Sequence, residues 1–315
     1  MSRHKKIQGS GPQIFVRARY INSNQQIRHH IKILMNYATD PLWQHFTHPA
    51  VRTLVALLTA PPPWQSGCEI TVADLLGEGG FRLLEQWDRQ PENPLPAPVP
   101  QMRLGKYAET LLACWFAHAP HTRLIAAEYP VRQPENGRTL GAFDFVVEIG
   151  GTPCHLELCC KYYGGGQPEN MAGFDPADTL SAKSAALPRQ LALSESPEGC
   201  ATLLALGVCP DHIRRASVVR GMLFTPDGNP PPSCLPQVWT GRLIRSWNGY
   251  RPGRPDTRFY FLPRCAYPAP ARVSFAETLD SDTVFTTVSQ GLVAEMHPAA
   301  DGFWHESTRL MLRGF

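Results

Sequence analysis

The stretch RTLGAFDFVVEIGGTPCHLELCCKYY, Arg138 to Tyr163, constrains this chain more than any other. Two runs rich in β-branched and aromatic residues flank Gly150-Gly151, a pair able to reach the positive φ of a tight turn, so a hairpin of two antiparallel strands is expected. Side chains alternate along a strand, which sends His155, Glu157, Cys159 and Lys161 to one face and Leu156, Leu158, Cys160 and Tyr162 to the other. Asp144 stands on the first strand, thirteen residues before Glu157. An acid on each of two neighbouring strands, with a lysine farther along one of them, makes a compact site suited to a divalent metal and a phosphate. The same residues also make an ordinary cross-strand ion pair, with Lys161 serving half-exposed acids. Spacing alone leaves both readings open.

At 315 residues and 43% apolar content the chain buries a full core, as one large domain with extensions or as two modest ones. A formal net charge of +3 does not identify a nucleic-acid binder by itself. Nine cysteines, odd in number and irregularly spaced, argue against a disulfide framework and for a reducing compartment, and no secretory leader is read, so a cytoplasmic location is expected. No apolar run reaches the length of a membrane span.

Residues 1–39 carry Arg3, Lys5, Lys6, Arg17, Arg19, Arg28 and Lys32 and no acid before Asp40. They read as a basic, flexible arm, of a kind that can also follow a phosphate backbone. Residues 40–100 hold helical periodicity (Val51, Leu54, Val55 and Leu58, then Val72, Leu75, Leu76, Leu83 and Leu84, broken at Gly79-Gly80) and end in a stiff connector with Pro91, Pro94, Pro96, Pro98 and Pro100. MRLGKYAETLLACWFAHA is the next helix, with Glu109 at the edge of its apolar stripe, where a carboxylate can lean toward the sheet. Residues 123–132 read as a strand before the hairpin. A helical run containing Lys183 and Gln190 follows it, then a buried strand at residues 216–224. Residues 101–265 therefore form an α/β core in the order helix, three strands, helical region, strand. Residues 266–315 form a C-terminal extension, in which FAETLDSDTVFTTVSQGLVAEM is expected to be helical.

With these stretches in view, the chain resembles a known family. The order of elements, with Glu109 on the first helix, GAFD on the second strand and HLELCCK on the third, resembles the restriction-endonuclease-like core of the PD-(D/E)XK nuclease superfamily, with its mixed central sheet. More closely, DPLWQHFTHPAVRTLVALL, LGKYAE, RTLGAFDF, HLELCCKYY and GMLF are similar to the bacterial domain-of-unknown-function family 1853, over about Asp40 to Tyr260. The superfamily pattern puts the lysine two positions after the acid, where this chain has Cys159; its lysine is Lys161, one pleat farther along the same face. The resemblance implies that Asp144 and Glu157 hold Mg²⁺ or Mn²⁺, with Glu109 as an outer or second ligand. It implies that Lys161 orients water or stabilises charge on the phosphate, that Gln190 supports the site, and that DNA, or RNA, is cut. The alternative is a catalytically degenerate nuclease fold that binds nucleic acid or a protein partner, a homo-oligomer included.

Trp239 to Arg264 supplies a candidate nucleic-acid surface. Arg242, Arg245, Arg251, Arg254 and Arg258 interleave with Trp247 and Tyr250, since guanidinium forks suit phosphate and aromatic faces suit exposed bases. The same stretch also reads as a solvated turn followed by a core edge strand. Zinc is disfavoured, because alternation sends Cys154 and Cys160 away from His155 and Cys159. Cys159 as a nucleophile lacks a second histidine placed to activate it.

Overall fold

The computed structural model describes residues 37–314. The basic arm up to residue 36 lies outside the described residues. Tyr37–Thr39, at its end, form a 3-10 turn with Tyr37 buried. Helices α1 (Leu42–His45), α2 (Pro49–Thr59), α3 (Val72–Leu76) and α4 (Gly80–Arg89) follow. Thr71 caps α3 by accepting the Asp74 N–H at 3.0 Å, and Gly79, at φ +85°, turns the chain into α4. The break expected at Gly79-Gly80 is where the structure has it.

Helix α5 (Leu104–His118) comes after the proline-rich connector. That connector does not separate two cores. Leu54, Leu58 and Trp87 from before it pack with Leu111 and Trp115 of α5, and with Phe145 and Leu156 of the sheet, in one cluster. The Trp115 indole donates to the Leu75 carbonyl at 2.9 Å and so pins α5 to α3.

The strands are β1 (Thr122–Arg132), β2 (Thr139–Ile149), β3 (Thr152–Gly164), β4 (Arg214–Thr225), β5 (Thr240–Ile244), β6 (Arg258–Phe261), β7 (Arg272–Val273), β8 (Gln290–Pro298) and β9 (Trp304–Arg313). Among the described residues they form one mixed nine-stranded sheet in the order β1-β2-β3-β4-β5-β9-β8-β6, with β7 pairing β9. β1, β2 and β3 are antiparallel neighbours, and β4 runs parallel to β3. The parallel step needs a crossover, supplied by α6 (Leu180–Leu191) and α7 (Pro197–Ala205). Gly150 and Gly151, at φ +56° and +80°, make the two-residue turn between β2 and β3.

Alternation then sorts β3 as its sequence predicts. Leu156 and Leu158 pack toward α2 and α5, while Cys159 packs with Leu187 and Leu191 of α6. Helices thus cover both faces of this half of the sheet. Buried Arg220 of β4 donates to the carbonyls of Leu57 and Leu58, 2.7 and 3.2 Å away, placing its charge at the C-terminal end of α2, where a cation is favoured.

The C-terminal extension is part of the sheet, because β9 inserts between β5 and β8. The helix expected over residues 275–296 is instead a short α8 (Ser281–Thr287) followed by β8. Leu292, Ala294 and Met296 face one cluster and Val293 another, so β8 is buried on both faces. A strand covered on both sides shows no alternation, and a short apolar run then reads equally well as helix.

Candidate active site

The ladder between β2 and β3 runs from Ile149–Thr152 out to Phe145–Leu156 and stops. The next residues, Asp144 and Glu157, face each other where the two strands part. Beyond them β2 stays with β1, and β3 with β4. Side chains fill the place of the missing ladder bonds. The Leu158 N–H donates to Asp144 Oδ2 at 2.8 Å, and the Asp144 N–H lies a long 3.4 Å from Glu157 Oε1.

Glu157 is almost fully buried, at 1% exposure. Its Oε1 accepts from His155 Nε2 at 2.9 Å, and its Oε2 from the Gln190 side-chain amide at 3.0 Å. The other end of that amide, Gln190 Oε1, accepts from Lys183 Nζ at 3.0 Å. Helix α6 therefore reaches the fork through Gln190 and Lys183. His155 is itself buried and packs edge-on to Phe143, ring centres 4.6 Å apart. This fixes the imidazole that holds Glu157.

Two further acids converge from α5 and β1. Glu128 stands across from Asp144, between the pairs Ala127–Phe145 and Tyr129–Phe143, and its φ of +50° is uncommon for a non-glycine residue. Its carboxylate pairs with Lys106 of α5. The row Glu128, Asp144, Glu157 thus crosses three adjacent strands. Half-buried Glu109 has its pKa raised by burial and by the Glu128 charge, against the pull of Lys106, with Glu157 adding to the rise.

Electrostatically the fork is out of balance. The Asp144 carboxyl is pushed up to about 7, first by burial and then by the Glu157 charge; the Leu158 N–H opposes this, Glu109 adds to it, and Lys183 opposes it. Two carboxylates held together out of water do not both ionise easily. Among the described residues no three acidic, histidine or cysteine side chains stand ready as a closed metal cage. Asp144 Oδ1 accepts no hydrogen bond among the described residues.

Lys161 sits elsewhere. Its ammonium lies 2.6 Å from Asp178 Oδ2, and the Tyr163 hydroxyl donates to Asp178 Oδ1 at 3.0 Å. The structure therefore brings Asp144, Glu157 and Gln190 together, sets Glu109 within electrostatic reach, and gives Lys161 a partner of its own. Lys183, His155 and Glu128 are neighbours that the sequence reading did not assign to the site. Two of them carried a signal: His155 lies two residues from Glu157 on the same strand face, and Lys183 lies two helical turns from Gln190. Burial pushes the Cys159 thiol up to about 12, away from the thiolate that a nucleophile needs, and Cys154 packs on the opposite face.

In the arginine-rich stretch the aromatic residues are packing residues. Tyr250 is buried and donates its hydroxyl to Glu295 at 2.7 Å. Trp247 stacks on Phe285, ring centres 4.7 Å apart, and donates to the Val288 carbonyl at 2.8 Å. Their faces are taken up by protein, because an aromatic ring suits a core as well as it suits a base. Arg242 lies over the Tyr250 ring, Arg251 donates to the Tyr250 carbonyl, Arg254 pairs with Asp256, and Arg258 donates to Thr278. Arg245, Arg251 and Arg254 are exposed.

The model of the family described as Domain of unknown function (DUF1853) matches residues 38–312. The chain belongs to this family. The DUF1853 match spans both the fork and the C-terminal strands, so β5 to β9 are part of the family's unit. No curated protein and no solved structure matches the chain. Among the described residues no helix is long and apolar enough to cross a membrane.

Proposed function

We propose that this protein is a metal-dependent phosphodiester hydrolase with a restriction-endonuclease-like core, acting on DNA, or on RNA. The observation that carries this reading is the fork itself: Asp144 and Glu157 face each other where the β2–β3 ladder opens, with Glu109 close enough for its charge to act on both. The order α5, β1, β2, β3, α6, α7, β4 supports the core assignment.

The donor set fits Mg²⁺ or Mn²⁺. It consists of hard carboxylate oxygens, and such ions use one or two carboxylates while keeping water and substrate as further ligands. Asp144 would hold the ion through Oδ1, with Glu157 and Glu109 beside it. When bound, the ion supplies Lewis acidity to a phosphodiester and acidifies water. The protein's own part is to hold these groups in place. His155 and Gln190 fix the Glu157 carboxylate, and the Leu158 N–H fixes that of Asp144.

A second reading is a nuclease fold kept for binding nucleic acid or a protein partner, without catalysis. The Lys161–Asp178 pair favours it, since it holds the lysine away from the carboxylates.

Cleavage of labelled single- and double-stranded DNA and RNA with Mg²⁺, Mn²⁺ or EDTA separates the two. The hydrolase reading expects cutting that requires the metal and falls by more than about 100-fold in Asp144→Asn and in Glu157→Gln. Absence of cutting under every condition, or cutting that survives both substitutions, contradicts it.

A further inference from the structure

Lys161 of β3 and Lys183 of α6 differ in their surroundings. Lys161, on β3, is closed off by Asp178, whose two carboxylate oxygens are shared between the Lys161 ammonium at 2.6 Å and the Tyr163 hydroxyl at 3.0 Å. The pair is half-buried, with side-chain exposures of 32% and 35%, and its charges cancel locally. For Lys161 to meet a phosphate, Asp178 would have to let go.

Lys183 has no carboxylate partner among the described residues. It lies in the first turn of α6, seven residues before Gln190, which places the two on one face of the helix about 10 Å apart along its axis. Lys183 nevertheless contacts Gln190 at 3.0 Å, so its side chain is drawn along the helix toward the centre of β3. The contact also fixes the amide. The Gln190 carbonyl faces the ammonium and its NH₂ faces Glu157, giving a chain of two hydrogen bonds from Lys183 to the buried carboxylate. Lys183 acts electrostatically on Asp144 as well, opposing the rise of its carboxyl. A neutral acceptor holds this ammonium in position without cancelling its charge.

We propose that Lys183, and not Lys161, is the ammonium that meets the phosphate of a nucleic acid at the Asp144–Glu157 fork, an inference that rests on the hydrolase reading above. On this assignment Lys183 is a catalytic residue supplied by α6. The charge that would stabilise a phosphate in the transition state comes from across the fork, and Lys161 with Asp178 holds the start of α6 against the end of β3. Gln190 is a positioning residue, acting through Lys183 and Glu157.

The test compares Lys183→Met and Lys183→Gln with Lys161→Met in the full chain, with thermal unfolding recorded to establish that each variant is folded. Two quantities are read: the cleavage rate with Mn²⁺, and the salt dependence of binding to a labelled DNA duplex in EDTA. The expected result is a loss of about 100-fold or more in cleavage for both Lys183 variants, as for removal of a transition-state donor, with Lys161→Met within a few-fold of wild type. In EDTA, the slope of log K against log salt should fall by about one in the Lys183 variants alone, as for the loss of one phosphate contact. Wild-type cutting that persists in the folded Lys183 variants, or equal effects at the two lysines in either readout, overturns the assignment while leaving the hydrolase reading in place. A wild-type protein that cuts nothing removes the hydrolase reading, and this inference with it.

Discussion

Glu306 of β9 and Glu157 of β3 are both strand carboxylates hidden from water, at 3% and 1% exposure, and the protein treats them in opposite ways. Around Glu306 the charge is closed. Arg309 donates to its two oxygens at 2.8 and 2.6 Å, the Ala271 N–H adds a bond of 2.7 Å, and the Tyr37 hydroxyl supplies another. Burial works most strongly against the Arg309 guanidinium, but the Glu306 charge and hydrogen bond, with Tyr37 and Tyr162, together outweigh it and keep that group more firmly protonated than usual. The remaining guanidinium N–H groups hold the Tyr267 and Ala269 carbonyls, so the pair ties the 267–271 segment to β9. Around Glu157 the balance is missing. Its bonds come from an imidazole and an amide, its neighbour across the strands is another acid, and Glu109 stands beyond. A closed network needs nothing more from solution. An open cluster of carboxylates gains by taking up a cation.

The largest expected effect comes from breaking the closed network. Arg309→Met leaves Glu306 buried without its cation and should cost about 3–5 kcal/mol, read from urea unfolding. A loss within that of an exposed ion pair, below about 1 kcal/mol, would mean that the Glu306 network is not the structural tie described above.

At the fork the sign is reversed. The Asp144 carboxyl, at about 7 when folded, lies above its unfolded value of about 3.9. Its contribution to stability is therefore fully present below about pH 4 and is lost as pH rises through about 7, a change on the order of 4 kcal/mol. Asp144→Asn removes that dependence. In metal-free buffer the variant should be the more stable protein near pH 8 and hold no such advantage near pH 4. Urea unfolding at the two pH values reads the difference, and a variant less stable than wild type at the higher pH would sink the contrast with Glu306.

Much of the fork was legible in the sequence because a two-residue turn fixes what lies opposite what. With Gly150 and Gly151 at the tip, the antiparallel register sets Asp144 across from Glu157, and alternation sends Glu157 and Cys159 toward α6. Glu128 was not legible. Its place opposite Asp144 depends on a register shift between Leu124 and Ala126 in the β1–β2 ladder, which no composition signal marks. Lys161 stands on the face that alternation predicts, but its engagement by Asp178 comes from the loop that folds back after β3, a long-range contact. Lys183 required knowing which face of α6 meets the sheet. The C-terminal strands were the hardest to read, because β9 enters between β5 and β8 from the end of the chain, and β8 is packed against a separate cluster on each face, erasing the alternation that announces a strand.

The most direct test of the claim that the fork is built for a cation is the unfolding of wild type and Asp144→Asn near pH 8, each with EDTA and with millimolar Mn²⁺. A ligand that binds only the folded state stabilises it by mass action. The account predicts that Mn²⁺ raises the stability of the wild type by about 1–3 kcal/mol and leaves Asp144→Asn unchanged. No stabilisation of the wild type, or an equal gain in both proteins, would contradict it.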